Sequence, residues 1–223
     1  MRILALDAAT EACSAALLEA GSVSERFEVI GRGHAGQLLP MADELLCLRG
    51  VSVRDLDGVA FGRGPGGFTG LRIAAGLAQG LAAGAGKPVL PVSNLAAVAA
   101  GAARAHGGKR VLVCMDARMG QVYWAAYDCG GTSPRAMTPE KLSDPGVVQL
   151  PGGEPFHGAG HGFDAYPAIA HRLGDRLDGV DGKALPRAGD IARIGAADLA
   201  AGLAVDATRG LPVYLRDDVV HRR

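Results

Sequence analysis

The sequence predicts a mixed α/β fold in two lobes, and three observations predict it. Apolar runs and helical stripes succeed one another in the order βββαβαβα as far as residue 106. Gly107-Gly108 then interrupts the pattern. A second strand pair and two more helical segments follow. The lobes are accordingly placed at 1–106 and 107–223.

Ile3 to Leu6 is a short apolar run ending at Asp7, the pattern of a buried strand. Cys13 to Leu18 and Val23 to Ile30 read as two more strands around the turn Ala20-Gly21-Ser22, so the chain opens as a meander. Leu38, Leu39, Ala42, Leu45 and Leu46 form one apolar helical face, ended near Gly50. Val59-Ala60-Phe61 is a strand leading into Gly62-Arg63-Gly64-Pro65-Gly66-Gly67, and a helix runs from Phe68 or Thr69 to Ala85. Val89-Leu90 is a strand, and Ser93 caps a third helix to about Ala105. Val111 to Met115 and Gln121 to Tyr127 pair around Asp116-Ala117-Arg118-Met119-Gly120. Residues 130–162 are rich in Gly and Pro without a period, and helices are expected near 163–173 and 188–203. No tandem repeat is present.

A chain of 223 residues buries roughly 70% of its unfolded surface, enough for a core without staples. Lys+Arg and Asp+Glu are equal at 23 each, so no basic face of the kind that grips nucleic acid unaided is expected. The one basic cluster is His221-Arg222-Arg223, with Arg209 and Arg216 upstream. Cys13, Cys47, Cys114 and Cys129 show no C-x-x-C spacing, which argues against a zinc ribbon or a redox motif. The first three sit in apolar runs and read as small core residues. A reducing cytosol fits such a chain. The apolar start is too short for a signal peptide, and no segment reaches the roughly 20 apolar residues of a membrane span.

Gly62, Gly64 and Gly67 spell G-x-G-x-x-G between a strand and a helix. A dinucleotide loop also needs an acid roughly 20 residues on, where this chain has Lys87-Pro88-Val89-Leu90-Pro91. The loop reads instead as a tight turn that leaves a helix N-terminus exposed, an end that can still attract an anion. His157 and His161 have H-x-x-x-H spacing, which aligns two imidazoles only on a helix, and Gly158 and Gly160 oppose a helix there. No metal site is expected. In actin-like and sugar-kinase folds an acid-Gly-Thr turn after the first strand holds magnesium and phosphate. Here Asp7-Ala8-Ala9-Thr10 carries alanines at the middle positions, which leaves Asp7 and Thr10 as a vestige of such a turn or as local capping groups. No Ser/His/Asp or Cys/His set can be assembled.

Five segments in order carry a family resemblance. Gly64-Pro65-Gly66-Gly67-Phe68-Thr69-Gly70-Leu71-Arg72-Ile73 resembles the GPGSFTGLRI signature of the bacterial TsaB (YeaZ) family. Leu4 to Ser14 is similar to its LALDTSTEACS opening, and His34 to Leu46 to its HSE-x-LLP-x-IDELL helix. Asp116 to Tyr123 is similar to DARRGEVY, and Pro212 to Arg216 to the closing PVYLR. The resemblance covers residues 1–129 and the tail, and little of 130–205. It departs at Ala8 and Ala9, and at Ala35 and Gly36, where an expected helix cap is lost.

The resemblance implies an ASKHA (actin/Hsp70/sugar-kinase-like) fold. It implies a non-catalytic subunit in formation of threonylcarbamoyladenosine next to the anticodon of tRNAs that read A-starting codons. TsaD would carry the metal and the transfer chemistry, and TsaE would be an ATPase that joins them. No cofactor is expected on the isolated chain, nucleotide being expected only at an interface with TsaD, and no strong direct tRNA binding is expected. The alternative is an enzyme, an ASKHA-type ATPase or a glycoprotease-like peptidase. TsaD-like enzymes carry a histidine pair on an N-lobe helix, whereas the first lobe here has only His34 and His106.

The expected docking surface combines Leu38, Leu39, Ala42, Leu45 and Leu46 with Leu71, Gly76, Gly80, Ala83 and Gly84 of the following helix. Gly76, Gly80 and Gly84 recur every four residues and share a face. Such a face either packs on the chain's own sheet or admits a partner helix. The resemblance favours TsaD, or a second copy of the chain when TsaD is absent.

Overall fold

The structure is a computed structural model, and it describes residues 1–216. The basic cluster His221-Arg222-Arg223 lies outside the described residues. The first sheet has the order β3-β2-β1-β4-β5. Strands β1 (Arg2–Asp7), β2 (Ala12–Glu19) and β3 (Ser22–Val29) form an antiparallel meander. Helix α1 (His34–Arg49) crosses to β4 (Gly58–Gly64), which pairs parallel with β1. Helix α2 (Phe68–Ala85) then crosses to β5 (Val89–Ser93), parallel to β4. Ser93 caps α3 (Asn94–His106), accepting from the Ala96 amide at 3.1 Å, as its residue type predicts. The loss of a cap at α1 is also seen, since Gly33 stands at its N-cap with no side-chain bond.

The second sheet has the order β11-β10-β6-β7-β8. Strands β6 (Arg110–Asp116) and β7 (Val122–Asp128) are the expected hairpin. Short β8 (Arg135–Ala136) and β9 (Lys141–Ser143) both pair with β7. Strand β10 (Phe156–Ala159) lies parallel to β6. Helices α4 (Gly162–Ala165) and α5 (Ala168–Leu173) lead to β11 (Leu177–Asp181), parallel to β10. The single helix expected over 163–173 is thus two, separated at Pro167, whose ring disfavours helix in the residue before it. The last helix, α6, spans Ala188–Ala200.

Strand alternation sorts the core into layers. Ile3 and Ala5 of β1 face one side, and Leu4 and Leu6 face the other. The first side meets α6 and α3, and α3 also packs on the second sheet, in one cluster with Val111, Val113, Ala125 and Tyr127. The other side of the first sheet is covered by α1 and α2, through Leu38, Met41, Leu45, Ala74, Ala78 and Ala82. The far side of the second sheet holds a third cluster with Trp124, Phe156 and Phe163. Two mixed sheets therefore share a central helical layer and carry helices outside, which is the ASKHA arrangement.

Two expectations need correcting. The C-terminal part of the chain does not stay with the second lobe. Helix α6 lies on the first sheet, Val205 bridges to Val89, and the Val213 amide donates to the Arg63 carbonyl at 2.7 Å. The first lobe is thus built from both ends of the chain, because its inner face needs α6 as cover. Cys47 is also exposed rather than a core residue, since its position turns to the outer face of α1.

The lobes are tied by Glu140, which accepts from the Ser93 hydroxyl and from Tyr127 Oη at 3.0 Å, and meets Arg63 at 3.5 Å. A Cβ at Gly195 would stand 2.9 Å from the Ala60 Cβ, so α6 sits close on β4 only because position 195 lacks a side chain. We expect Gly195→Val to destabilise the whole chain by about 1–3 kcal/mol through overpacking. Urea unfolding measures this, and an unchanged midpoint would show that α6 is not seated on the first sheet.

Candidate functional site

A cleft of about 630 Å3 opens between the lobes. Its floor is the turn Ala8-Ala9-Thr10 after β1, one wall is the first turn of α2, and the other is the β6–β7 hairpin with His161. The glycine-rich segment that shapes it is explained by close approach. A Cβ at Gly66 would lie 2.6 Å from the Ala9 carbonyl oxygen, and one at Gly70 would lie 1.7 Å from that of Ala8. The Gly67 amide donates to the Ala9 carbonyl at 2.7 Å. A Cβ at Gly62 would collide with the Asp7 carboxylate at 2.1 Å, and one at Gly64 with the Val213 carbonyl at 2.5 Å. Gly62 and Gly64 of the G-x-G-x-x-G spelling therefore serve close contacts within the chain, with the Asp7 and Asn94 side chains and with the Val213 carbonyl.

Asp7 is fully buried and does not line the cleft. Its Oδ1 accepts from Asn94 Nδ2 at 2.5 Å, and Asn94 Oδ1 in turn accepts from the Gly64 amide at 2.8 Å. Burial pushes the Asp7 carboxyl up from an ordinary 3.8 to about 7, against the lowering effect of the Asn94 bond and the Ala9 and Ala8 amides. Thr10 does line the cleft, and its hydroxyl accepts from the Ala12 amide at 3.2 Å. The pair Asp7 and Thr10 is thus separated, the first a core group and the second a turn group. These residues do not fit a magnesium–phosphate turn. The described residues hold no group of three or more His, Cys, Asp or Glu side chains suited to a metal.

His34 and His161 both border the cleft, and each has a shielded ring nitrogen without a hydrogen-bond partner among the described residues. Burial lowers the His161 pKa, while the nearby carboxylates of Glu11 and Asp116 pull the other way. His157 has different surroundings. It lies on β10, stacked 4.2 Å from the His106 ring and 3.3 Å from Asp178. Gly158 and Gly160 between the two histidines are required by Phe163 and by the Cys114 carbonyl, which a Cβ would meet at 2.9 and 2.2 Å. Asn94, His34 and His161 were not singled out for this region from the sequence. Nothing about their spacing signals it, because three distant segments bring them to it.

The ten expected docking residues divide in two. Leu38, Ala42, Leu45, Leu46 and Leu71 are buried in the chain's own core, so the apolar stripe of α1 is its inner face and not a partner surface. Leu39 is exposed. Gly76, Gly80, Ala83 and Gly84 are exposed as well, and a Cβ at any of the three glycines would meet nothing within 4 Å among the described residues. The inner face of α2 is made by Ala74, Ala75, Ala78 and Ala82. The glycine stripe therefore does not serve packing on the chain's own sheet.

A family model described as TsaD, tRNA N6-adenosine threonylcarbamoyltransferase, matches residues 27–212. The protein TsaB of Escherichia coli K12, described as a tRNA threonylcarbamoyladenosine biosynthesis protein, is 41% identical over all of this chain and 98% of its own length. The chain belongs to the TsaB (YeaZ) family. The Haemophilus influenzae TsaB is 37% identical, over all of this chain and 97% of its own. The solved structure of YeaZ from Pseudomonas aeruginosa superimposes with a TM-score of 0.90 at 43% identity, over 96% of this chain and 99% of that one. Another solved structure with the same match is described as an uncharacterized protein with similarity to peptidase YeaZ. The five segments that resembled the family signatures are thus part of a likeness that spans the chain, including residues 130–205 where those segments are silent.

The buried Asp7 makes stability depend on pH. Its folded pKa near 7 lies above the ordinary 3.8, so the folded chain holds a proton that the unfolded chain releases. The resulting stabilisation is full below about pH 4 and is lost as pH rises to about 7. We expect the stability difference between wild type and Asp7→Asn to shift in favour of the variant across that window and to level off above it. Denaturant titrations at several pH values measure the slope, and parallel profiles for the two proteins would contradict it.

Proposed function

We propose that this TsaB-family chain is an accessory subunit, without chemistry of its own, in formation of the threonylcarbamoyl group on N6 of the adenosine next to the anticodon. In this reading it works in the cytoplasm by docking onto TsaD, with TsaE joining the pair. The supporting observation is the outward face of α2. Three glycines at four-residue spacing are exposed, and no contact among the described residues requires them. Each mid-helix glycine costs about 1 kcal/mol relative to alanine, so Gly76 and Gly80 together cost about 2 kcal/mol. A helix from another protein that approaches the bare backbone accounts for that cost, as in small-xxx-small packing. Leu39 on the exposed side of α1 and Ala83 beside the stripe extend the surface. The same face pairs two copies of the chain about a twofold axis when TsaD is absent.

The enzyme reading is tested directly. Pure protein should neither hydrolyse ATP nor cleave protein in steady-state assays, and turnover abolished by a Thr10→Ala or His161→Ala change would establish an active site in the cleft.

The docking face has a two-sided test. Gly80→Ala should stabilise the isolated chain by about 1 kcal/mol, because the position is open and alanine favours helix. Gly80→Leu should keep the circular dichroism spectrum but weaken binding to TsaD at least tenfold and shift sedimentation toward monomer. Normal TsaD binding by a folded Gly80→Leu protein would place the docking surface elsewhere.

A further inference from the structure

The row of bare positions on α2 does not end at Gly76. Four residues earlier the same row meets Arg72, the one charged side chain of this 18-residue helix. From Arg72 to Gly84 the row runs roughly 18 Å along the axis, the contact length of a partner helix of about three turns. Arg72 is exposed, yet its guanidinium is held from two sides. Its Cζ lies 3.6 Å from the centre of the Phe68 ring, and its Nε donates to Tyr214 Oη at 3.0 Å. The two rings support each other, with centroids 5.1 Å apart. Both terminal nitrogens of Arg72 are left without a hydrogen-bond partner, and without a carboxylate within 4.0 Å, among the described residues. A surface arginine ordinarily loses side-chain freedom when it binds. Here stacking and the tyrosine hydroxyl have already ordered it, so its fork is presented in advance.

Beside Arg72 the tail forms a groove of about 360 Å3 against α2, between Gly76 and Gln79 on the helix and Leu211, Pro212 and Tyr214 opposite. The far wall is tied down at both ends. Gln79 Nε2 donates to the Gly210 carbonyl at 3.1 Å, and the Val213 amide donates to the Arg63 carbonyl at 2.7 Å. Between these ties Leu211 is 62% exposed, so an ordered segment presents a leucine that no described residue covers. Exposed apolar surface rimmed by a polar anchor marks a protein contact, and tyrosine and arginine are the side chains that most often anchor one. The fork of Arg72 matches a carboxylate in two parallel hydrogen bonds. A phosphate could also meet the fork, but the groove has no second cation, and its apolar wall offers a phosphate nothing. Gly76 belongs both to the groove and to the bare row. That continuity selects the helix that docks on α2 as the occupant of the groove.

We propose that the partner helix lying on the glycine row carries a carboxylate that pairs with the Arg72 fork, and an apolar side chain that enters the groove beside Leu211. This rests on the reading of α2 as the docking face, and it adds the chemistry by which the partner is chosen. Affinity for purified TsaD is measured by calorimetry on full-length variants at low and at raised salt. Arg72→Ala should weaken binding about tenfold or more, and Leu211→Ser about threefold, with unchanged circular dichroism spectra. Arg72→Lys keeps the charge but loses the fork, and should recover only part of the affinity. The difference between wild type and Arg72→Ala should shrink as salt rises. Binding lost in Arg72→Glu should return when one Asp or Glu of the docking helix in TsaD is changed to Lys. Wild-type affinity in folded Arg72→Ala, or full recovery in Arg72→Lys, overturns the pairing. If Gly80→Leu still abolishes binding in that case, the docking face itself stands. Normal binding by Gly80→Leu removes the docking face and this proposal with it. Saturable tRNA binding by the isolated chain that is lost in Arg72→Ala assigns the fork to an RNA phosphate and likewise overturns the proposal.

Discussion

The turn after β1 and the first turn of α2 approach each other so closely that neither Gly66 nor Gly70 could carry a side chain. Much of the inter-lobe region follows from that contact. It brings the Gly67 amide onto the Ala9 carbonyl, which fixes where α2 begins relative to the sheet. It sets the floor of the cleft at Ala8-Ala9-Thr10. It also leaves room behind the turn for Asp7 to be sealed in with Asn94, which in turn holds the Gly64 amide at the end of β4. A carboxyl in that position is a core hydrogen-bonding group, and its raised pKa is the consequence of being shut away from water.

The same region is braced from outside by the tail. Val213 pairs with Arg63, Tyr214 accepts from Arg72 Nε at 3.0 Å, and Arg216 donates to the Ala117 carbonyl at 3.0 Å. Arg72 also lies 3.6 Å over the Phe68 ring, so the tail, α2 and the β6–β7 hairpin form one connected surface. With α3 packed between the two sheets, α6 against α3 and the first sheet, and Glu140 bridging the lobes, the cleft walls are coupled through a common core. Relative movement of the lobes would have to break buried contacts rather than turn on a free linker.

Local pattern made the meander, the two crossovers through α1 and α2, and the Ser93 cap readable in the sequence. Each is set by alternation, a helical stripe or one capping residue within a few positions. Strands β10 and β11 were not readable, because Phe156-His-Gly-Ala159 and Leu177-Asp-Gly-Val-Asp181 contain glycines demanded by distant partners. Gly158 is pressed by Val180 as well as by nearby Phe163, and Gly179 by His157, so each strand's glycine answers to the other strand across the intervening helices. The return of α6 to the first lobe was hidden for the same reason, since its apolar stripe names no partner. The interface expectation failed for Leu38, Ala42, Leu45, Leu46 and Leu71 on a general ambiguity. An apolar stripe on a helix marks the face that is covered, and in α1 and at the start of α2 the cover is the chain's own sheet.

The glycines near and within α2 then separate into two kinds by one physical criterion. At positions 62, 64, 66 and 70 a side chain would strike atoms of this chain at 2.6 Å or less, so the fold itself excludes any other residue. At 76, 80 and 84 the helix is regular, no described residue stands within 4 Å of an added Cβ, and alanine would be the more stable choice. Intramolecular packing explains the first kind completely and the second not at all. A stripe kept bare on the outer face, at a net cost to the isolated chain, is the expected mark of a surface whose partner must come within backbone distance. The buried leucines of α1 and Leu71 of α2 lie beneath that outer face and hold the two helices on the sheet.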